Sequence, residues 1–188
     1  MDYNKLSKEQ LISKIIELEM LNKQMLEEKE QCAIDGLTQL KNHSALIQEL
    51  NIEIDKTQYL ITPLSIAMFD IDNFKFINDN KGHLFGDEVL MGIANIMMNN
   101  VRKEDIVGRY GGEEFLIAFP NANGETALNL AERIRLNIES YVFGKDTKVT
   151  ISAGVKEFKG ESLIELIHAA DTNLYLAKNS GKNKVVIG

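Results

Sequence analysis

Apolar residues recur along the chain in distinct rhythms, and each rhythm predicts an element. From Leu6 to Cys32 there is neither proline nor glycine, and Leu11, Ile15, Leu18 and Met25 follow alternating four- and three-residue steps. This is a heptad seam on a helix, with Asn22 at the position after Leu18. Ile12, Ile16 and Leu21 widen the apolar face, so packing against the chain's own domain competes with pairing to a second copy. A polar Asn on the seam fixes register in coiled coils, and the paired reading is preferred. Helical spacing returns at Leu46, Ile47, Leu50 and Ile54, behind an N-capping Asn42 and through about Thr57. It returns again at Leu90, Ile93, Ala94 and Met97, then at Ala127, Leu130, Ala131, Ile134 and Ile138. A last helix carries Leu163, Ile167, Ala170, Leu174 and Ala177 behind a capping Ser162.

Between these helices lie short strand-like runs. Leu64 to Phe69 has no charge and starts after Pro63, which marks a buried central strand closed by Asp70. Asn73 to Asn80 is a short helical turn ended by Gly82, with backbone N–H groups of Asp72 to Lys75 at its start as an anion site. Asp105 to Phe119 reads as two strands joined across Gly111-Gly112, a two-residue turn in which glycine supplies positive φ. Val149 to Val155 is rich in β-branched residues, and Lys184 to Ile187 is a short terminal strand. The pattern predicts an α+β fold, a mixed, mostly antiparallel sheet flanked by helices. Residues 1–33 form an N-terminal helix and residues 34–188 the main domain.

Composition narrows the function. A net charge of −7 argues against a nucleic-acid polymer as partner, since such binding rests on a basic face. A small phosphorylated ligand needs only a few local cations or a metal. No apolar run approaches the roughly 20 residues that span a bilayer, and the polar start Met1-Asp2-Tyr3-Asn4-Lys5 is unlike a signal peptide. With Cys32 as the single cysteine, no internal disulfide forms, and the cytoplasm is the expected compartment.

Two acidic clusters stand out. Glu113 and Glu114 follow the glycine pair, where adjacent carboxylates repel unless a cation or solvent separates them. Asp70-Ile71-Asp72 ends the central strand. With Gly111-Gly112-Glu113-Glu114-Phe115, the chain resembles the GGDEF family of diguanylate cyclases. Asp35-Gly36-Leu37-Thr38, Asn78-Asp79, Gly82-His83, Gly86-Asp87, Ser152-Ala153-Gly154 and Tyr175-Leu176-Ala177-Lys178 fall in that family's order, from Asp35 to the C-terminus. His43 and Lys182 stand where the family usually carries Arg.

The resemblance implies a palm-like cyclase fold that condenses two GTP molecules into cyclic di-GMP with Mg²⁺, or Mn²⁺ as the alternative ion. Hard carboxylate oxygens suit such an ion, so Asp70 and Glu113 could converge on it, and the resemblance adds the Ile71 backbone carbonyl as a ligand. Glu114 either holds a second metal or activates the 3′-hydroxyl. Asp72 is explained more simply as a helix N-cap. Lys75 and Lys178 would contact the triphosphate, as would Lys182, without the bidentate fork of an arginine. Phe74 and Leu37 belong to the implied substrate pocket. Asp87, with Asn78 as amide partner, would accept the N–H groups of guanine, against plainer readings as a first-turn acid and a turn residue. Arg102 and Asp105 match the family's inhibitory product site, though alone they read as a surface ion pair. A homodimer and an upstream sensor are the implied partners. The alternative is a non-catalytic module that binds GTP or cyclic di-GMP.

Overall fold

The computed structural model describes residues 7–31, 33–144 and 147–188, in one unit that ends at Ile34 and another from Asp35 to Gly188. The first unit contains helix α1 (Lys8–Gln31). Ser7 and Gln10 exchange hydrogen bonds at its start, 2.9 and 3.3 Å, in the reciprocal manner of a capping box. Ile12, Ile15, Ile16 and Leu18 are all about half exposed. Leu6, Cys32 and the side chains of Asn22 and Met25, which the heptad reading uses, lie outside the described residues. No helix among the described residues is long and apolar enough to cross a membrane.

The second unit is built on a five-stranded sheet with β1 (Leu64–Ile71) at its centre. It pairs antiparallel with β3 (Glu114–Pro120) on one side and β6 (Ile151–Glu157) on the other. Strand β2 (Ile106–Arg109) closes the β3 edge antiparallel, and β7 (Val185–Ile187) runs parallel to β6. The sheet is therefore mixed and mostly antiparallel, with α2 (His43–Leu60), α3 (Phe74–Lys81), α4 (His83–Met98), α5 (Gly124–Ser140) and α6 (Leu163–Asn179) around it. A separate ribbon of β4 (Val142–Phe143) and β5 (Thr147–Lys148) has no counterpart in the sequence pattern, being only two residues a side.

The run Leu64 to Phe69 of β1 is uncharged because both faces of the strand are covered. Leu64, Ile66 and Met68 enter a core with Leu46 and Leu50 of α2 and Leu166, Ala170 and Leu174 of α6. Ala67, Phe69 and Ile71 enter a second core with α4 and α5. Phe69, Phe115 and Phe119 are fully buried, each worth roughly 2–3 kcal/mol of transfer free energy. The helix starts follow the sequence: Asn42 accepts from the Ala45 N–H at 3.0 Å, and Ser162 forms a full capping box with Glu165.

Three expectations change. Strand β1 extends to Ile71, because Asp70 and Ile71 still pair with Ser152 and Ile151. Asp72 is no helix cap: Asn73, at φ 58°, precedes α3 without a side-chain cap bond, and the Asp72 N–H donates to the Thr150 carbonyl rather than standing open to an anion. The hairpin turn also differs. Neither Gly111 nor Gly112 has positive φ, and the Tyr110 and Gly111 N–H groups both donate to the Glu114 carbonyl, at 2.9 and 3.2 Å. The turn is wider than two residues, and glycine serves another purpose at Gly111, where a Cβ would lie 2.4 Å from Glu114 Oε2.

Gly154 sets the relation between sheet and site. A Cβ there would meet the Ala170 carbonyl at 2.1 Å and the Leu174 nitrogen at 2.2 Å, so α6 lies directly on β6. That contact brings Lys178, near the end of α6, to the end of β1.

Candidate functional site

Strand alternation places the acids. Asp70 and Glu114 are direct partners in the β1/β3 register, and each continues the α6-facing stripe of its strand beyond the last apolar residue, Met68 and Leu116. Glu113 follows from the turn, its carbonyl accepting the Ile71 N–H at 3.4 Å. All three carboxyls are pushed above the usual range. Burial is the main cause for Asp70, opposed by Lys178 and reinforced by Asp72. For Glu113 and Glu114 burial leads again, followed by the charge of Asp70. Asp171 of α6 adds to the repulsion on Glu114.

Lys178 answers part of that charge. Its Nζ donates to Asp70 Oδ1 at 2.5 Å and to the Ile71 carbonyl at 3.1 Å, and pairs with Asp72 Oδ1 at 3.1 Å. Two of the expected metal ligands, Asp70 and the Ile71 carbonyl, thus share an ammonium. Among the described residues no group of three Asp, Glu, His or Cys side chains is arranged as an ion's ligand set. The donors nonetheless suit Mg²⁺, which takes few protein oxygens and completes its shell with phosphate and water. A cation already sits on both of them.

Asp72 is buried, and its carboxylate is fully used. Thr150 Oγ1 and Ser152 Oγ donate to it at 2.8 Å each, and the Asn183 N–H at 3.0 Å. It anchors Lys178 from behind, a role that its place beside Asp70 in the sequence does not reveal.

The glycine turn is held by Arg109. Its Nη2 and Nε donate to the Gly112 carbonyl at 2.7 and 3.2 Å, and its Nη1 lies 3.2 Å from both carboxylate oxygens of Asp35. Asp35 also accepts from the Thr38 N–H and Oγ1, at 2.8 and 2.7 Å. Burial raises the Asp35 carboxyl, but the Thr38 and Arg109 bonds outweigh it and hold it below the usual range. Backbone bonds between Lys41 and both Val107 and Arg109 bring the Asp35 turn to β2.

The remaining predicted residues fall into two further places. Asn78 of α3 and Asp87 of α4 are half-buried, on helices joined at Gly82. Asn78 Oδ1 is buried and has no protein partner, and a Cβ on Gly86 would lie 1.9 Å from it. Phe74 is buried beneath the same glycine, 3.2 Å from that Cβ position, while Lys75 is exposed. Leu37 packs partly on the α4/α5 core. Lys182, at φ 60°, bonds through Nζ to Asn73 Oδ1, which holds it beside the start of α3. Arg102 and Asp105 lie apart from the acids, in the loop before β2. Asp105 Oδ2 accepts the Arg102 backbone N–H at 2.7 Å, Asp105 Oδ1 is buried and unpartnered, and the Arg102 side chain is exposed. Among the described residues no guanidinium–carboxylate bridge joins this pair, so the surface ion-pair reading does not describe it.

The fold thus sets a carboxylate pair and a lysine at the strand ends of a mixed sheet, with an unpartnered amide oxygen on α3. Comparison with known proteins makes the class specific. The model of the family described as "Diguanylate cyclase, GGDEF domain" matches residues 32–184, and the chain belongs to that family. It is 37% identical over 183 residues to the diguanylate cyclase DosC of Escherichia coli K12, covering 94% of this chain and 40% of that protein. The chain thus spans well under half the length of that relative. Among solved structures it resembles the coiled coil and GGDEF domain of DgcB from Caulobacter crescentus, solved in complex with c-di-GMP. There the identity is 30% and the TM-score 0.85, covering 95% of this chain and 97% of that one. It also resembles the active GGEEF domain of a diguanylate cyclase from Vibrio cholerae, 36% identical with a TM-score of 0.77, covering 79% and 97%.

Proposed function

We propose that the chain is a diguanylate cyclase that joins two GTP molecules into cyclic di-GMP, releasing two pyrophosphates, in the cytoplasm where GTP is made. The observation that carries this reading is the register pair Asp70 and Glu114, set beside Glu113 at the strand ends with a lysine already bridging Asp70 and the Ile71 carbonyl. Asp70, Glu113 and Ile71 O would hold Mg²⁺, which when bound neutralises α-phosphate charge and favours loss of the pyrophosphate. Glu114, raised by burial and by Asp70, suits a group that takes the proton of the attacking 3′-hydroxyl. Asn78 and Asp87 read guanine: the unpartnered Asn78 oxygen would accept its N–H, and a carboxylate at Asp87 would repel the unprotonated ring nitrogen of adenine. Lys178, Lys182 and Lys75 supply cations for the triphosphate, around the pocket that Phe74 and Leu37 help to form.

One site holds one GTP, and each 3′-hydroxyl must attack the other α-phosphorus, so two copies face each other. The half-exposed apolar residues of α1 suit pairing of that helix, and a sensor acting on it would supply control. Arg102 and Asp105 form a product site, since the free Asp105 oxygen accepts guanine N–H groups and the exposed guanidinium takes phosphate. The test is incubation with GTP and Mg²⁺, with the product identified by mass. Cyclic di-GMP from the wild type and none from Asp70→Ala is expected. GTP binding without product would favour the non-catalytic module.

A further inference from the structure

Helix α5 contributes no residue to the site described so far, yet it buries an arginine that points at it. The Arg135 side chain is 8% exposed, while the two acids that pair with it, Glu132 and Glu139, are each 41% exposed. A surface clamp between neighbours on one helix does not require burial of the guanidinium, which loses hydration by it. The reason lies 48 residues further along the chain. Arg135 Nη1 donates to Asn183 Oδ1 at 2.6 Å as well as to Glu139 Oε2 at 2.7 Å, and Nε and Nη2 hold Glu132 at 2.7–2.9 Å. Asn183 Nδ2 returns a bond to Glu139 Oε1 at 2.8 Å. Both ends of the Asn183 amide are thereby fixed.

What this fixes is a costly piece of backbone. Gly181, Lys182 and Asn183 have φ of 114°, 60° and 48°, three successive residues in the left-handed region. Such a run persists only where its surroundings over-determine it. The same turn carries Lys182, whose ammonium reaches Asn73, and aims the Asn183 N–H at Asp72, the carboxylate that backs Lys178. We infer that Arg135 is a positioning residue for phosphate recognition: through Asn183 it locks the Gly181–Asn183 turn and so sets where the ammonium groups of Lys178 and Lys182 stand.

The ligand in this inference rests on the cyclase reading, and the experiment separates the two. Arg135→Met, Arg135→Lys and Asn183→Ala are made in the full chain. Affinity is measured with Mg²⁺ by displacing a fluorescent GTP analogue with GTP or with guanosine, which lacks the triphosphate. Amide exchange of Gly181 to Lys184 is followed in parallel without nucleotide. Arg135→Met is expected to weaken GTP binding roughly tenfold, at the low end for loss of a supporting contact behind a site. Guanosine binding should stay within about twofold, because Asn78 and Asp87 lie elsewhere. Arg135→Lys should fall between, keeping the charge but not the fork, and Asn183→Ala should match Arg135→Met, with the double variant no worse. Exchange should quicken at Gly181 to Lys184 in Arg135→Met. Equal losses for GTP and guanosine, or unchanged GTP affinity, would overturn the inference and leave Arg135 as a stabilising residue of α5. If the wild type fails to bind GTP, the cyclase reading falls. The exchange data, or Arg135→Lys and Asn183→Ala where Arg135→Met does not fold, then decide alone: unaltered exchange overturns the lock and faster exchange sustains it.

Discussion

Arg109 Nη1 lies 3.2 Å from both carboxylate oxygens of Asp35, and the same guanidinium bonds the Gly112 carbonyl in the turn that carries Glu113. Asp35→Asn should cost about 1 kcal/mol at pH 7, a charged bond partly screened by solvent. Its folded carboxyl is held low by Thr38 and Arg109 against burial. The stability it adds is therefore complete above its unfolded value of about 3.9 and is lost as pH falls through the lower folded value. Urea midpoints at pH 7 and near pH 3 should show the gap between wild type and variant closing in acid. A gap that stays constant would remove the ionised pair as its source.

Glu114 carries the opposite sign. Burial, Asp70 and Asp171 raise its carboxyl, so ionisation opposes folding, and the cost is fully present above the folded value. Glu114→Gln should therefore raise Tm at pH 7 without divalent ions, on the order of 1–3 °C for a domain of this size. The advantage should shrink toward pH 4 and on adding Mg²⁺, which stabilises the wild type by binding its folded form. Scanning calorimetry at both pH values, with and without the ion, checks this; a destabilised variant would contradict it.

Discrimination between purines should depend on Asp87. Replacing it with Asn exchanges two acceptors for one acceptor and one donor, which tolerates the ring nitrogen of adenine. The ratio of GTP to ATP affinity should fall by roughly 10–100-fold. Competition binding with both nucleotides measures it, and an unchanged ratio would return Asp87 to the role of a first-turn acid.

Product should act through Arg102. Arg102→Ala is expected to leave initial GTP turnover within about twofold while relieving inhibition by added cyclic di-GMP at least tenfold, since the exposed guanidinium makes charged bonds to phosphate. Titrating product against both proteins decides it. Equal inhibition would place the product in the active site instead.

Much of this was legible in the sequence where the signal is local. Helix periods at Leu46 to Ile54 and Ala127 to Ile138, and the uncharged run before Asp70, correspond to buried faces in the fold. The carboxylates Asp70, Glu113 and Glu114 stand out because two acidic clusters occur together with the family's other motifs in order along the chain. What escaped was long in range. Asp72 looks like a cap until Thr150, Ser152 and Asn183 surround it from 78 or more residues away. Arg109 and Asp35 are 74 residues apart, and Arg135 lies on a helix whose spacing explains only its apolar neighbours. The glycine turn departs from its expected form for a related reason. A glycine pair signals freedom of φ, whereas at Gly111 the constraint is the room taken by the Glu114 side chain.

The close seat of α6 on β6 at Gly154 has a mechanical meaning. The contact falls at Ala170 and Leu174, and Lys178 follows only four residues later, about 6 Å along the helix axis. Over so short a lever arm a tilt of about 5° moves the lysine backbone by only about 0.5 Å. A pivot this near its load makes the placement of Lys178 insensitive to how the outer part of the helix shifts, so bending at Leu163 or Ile164 reaches the site strongly damped.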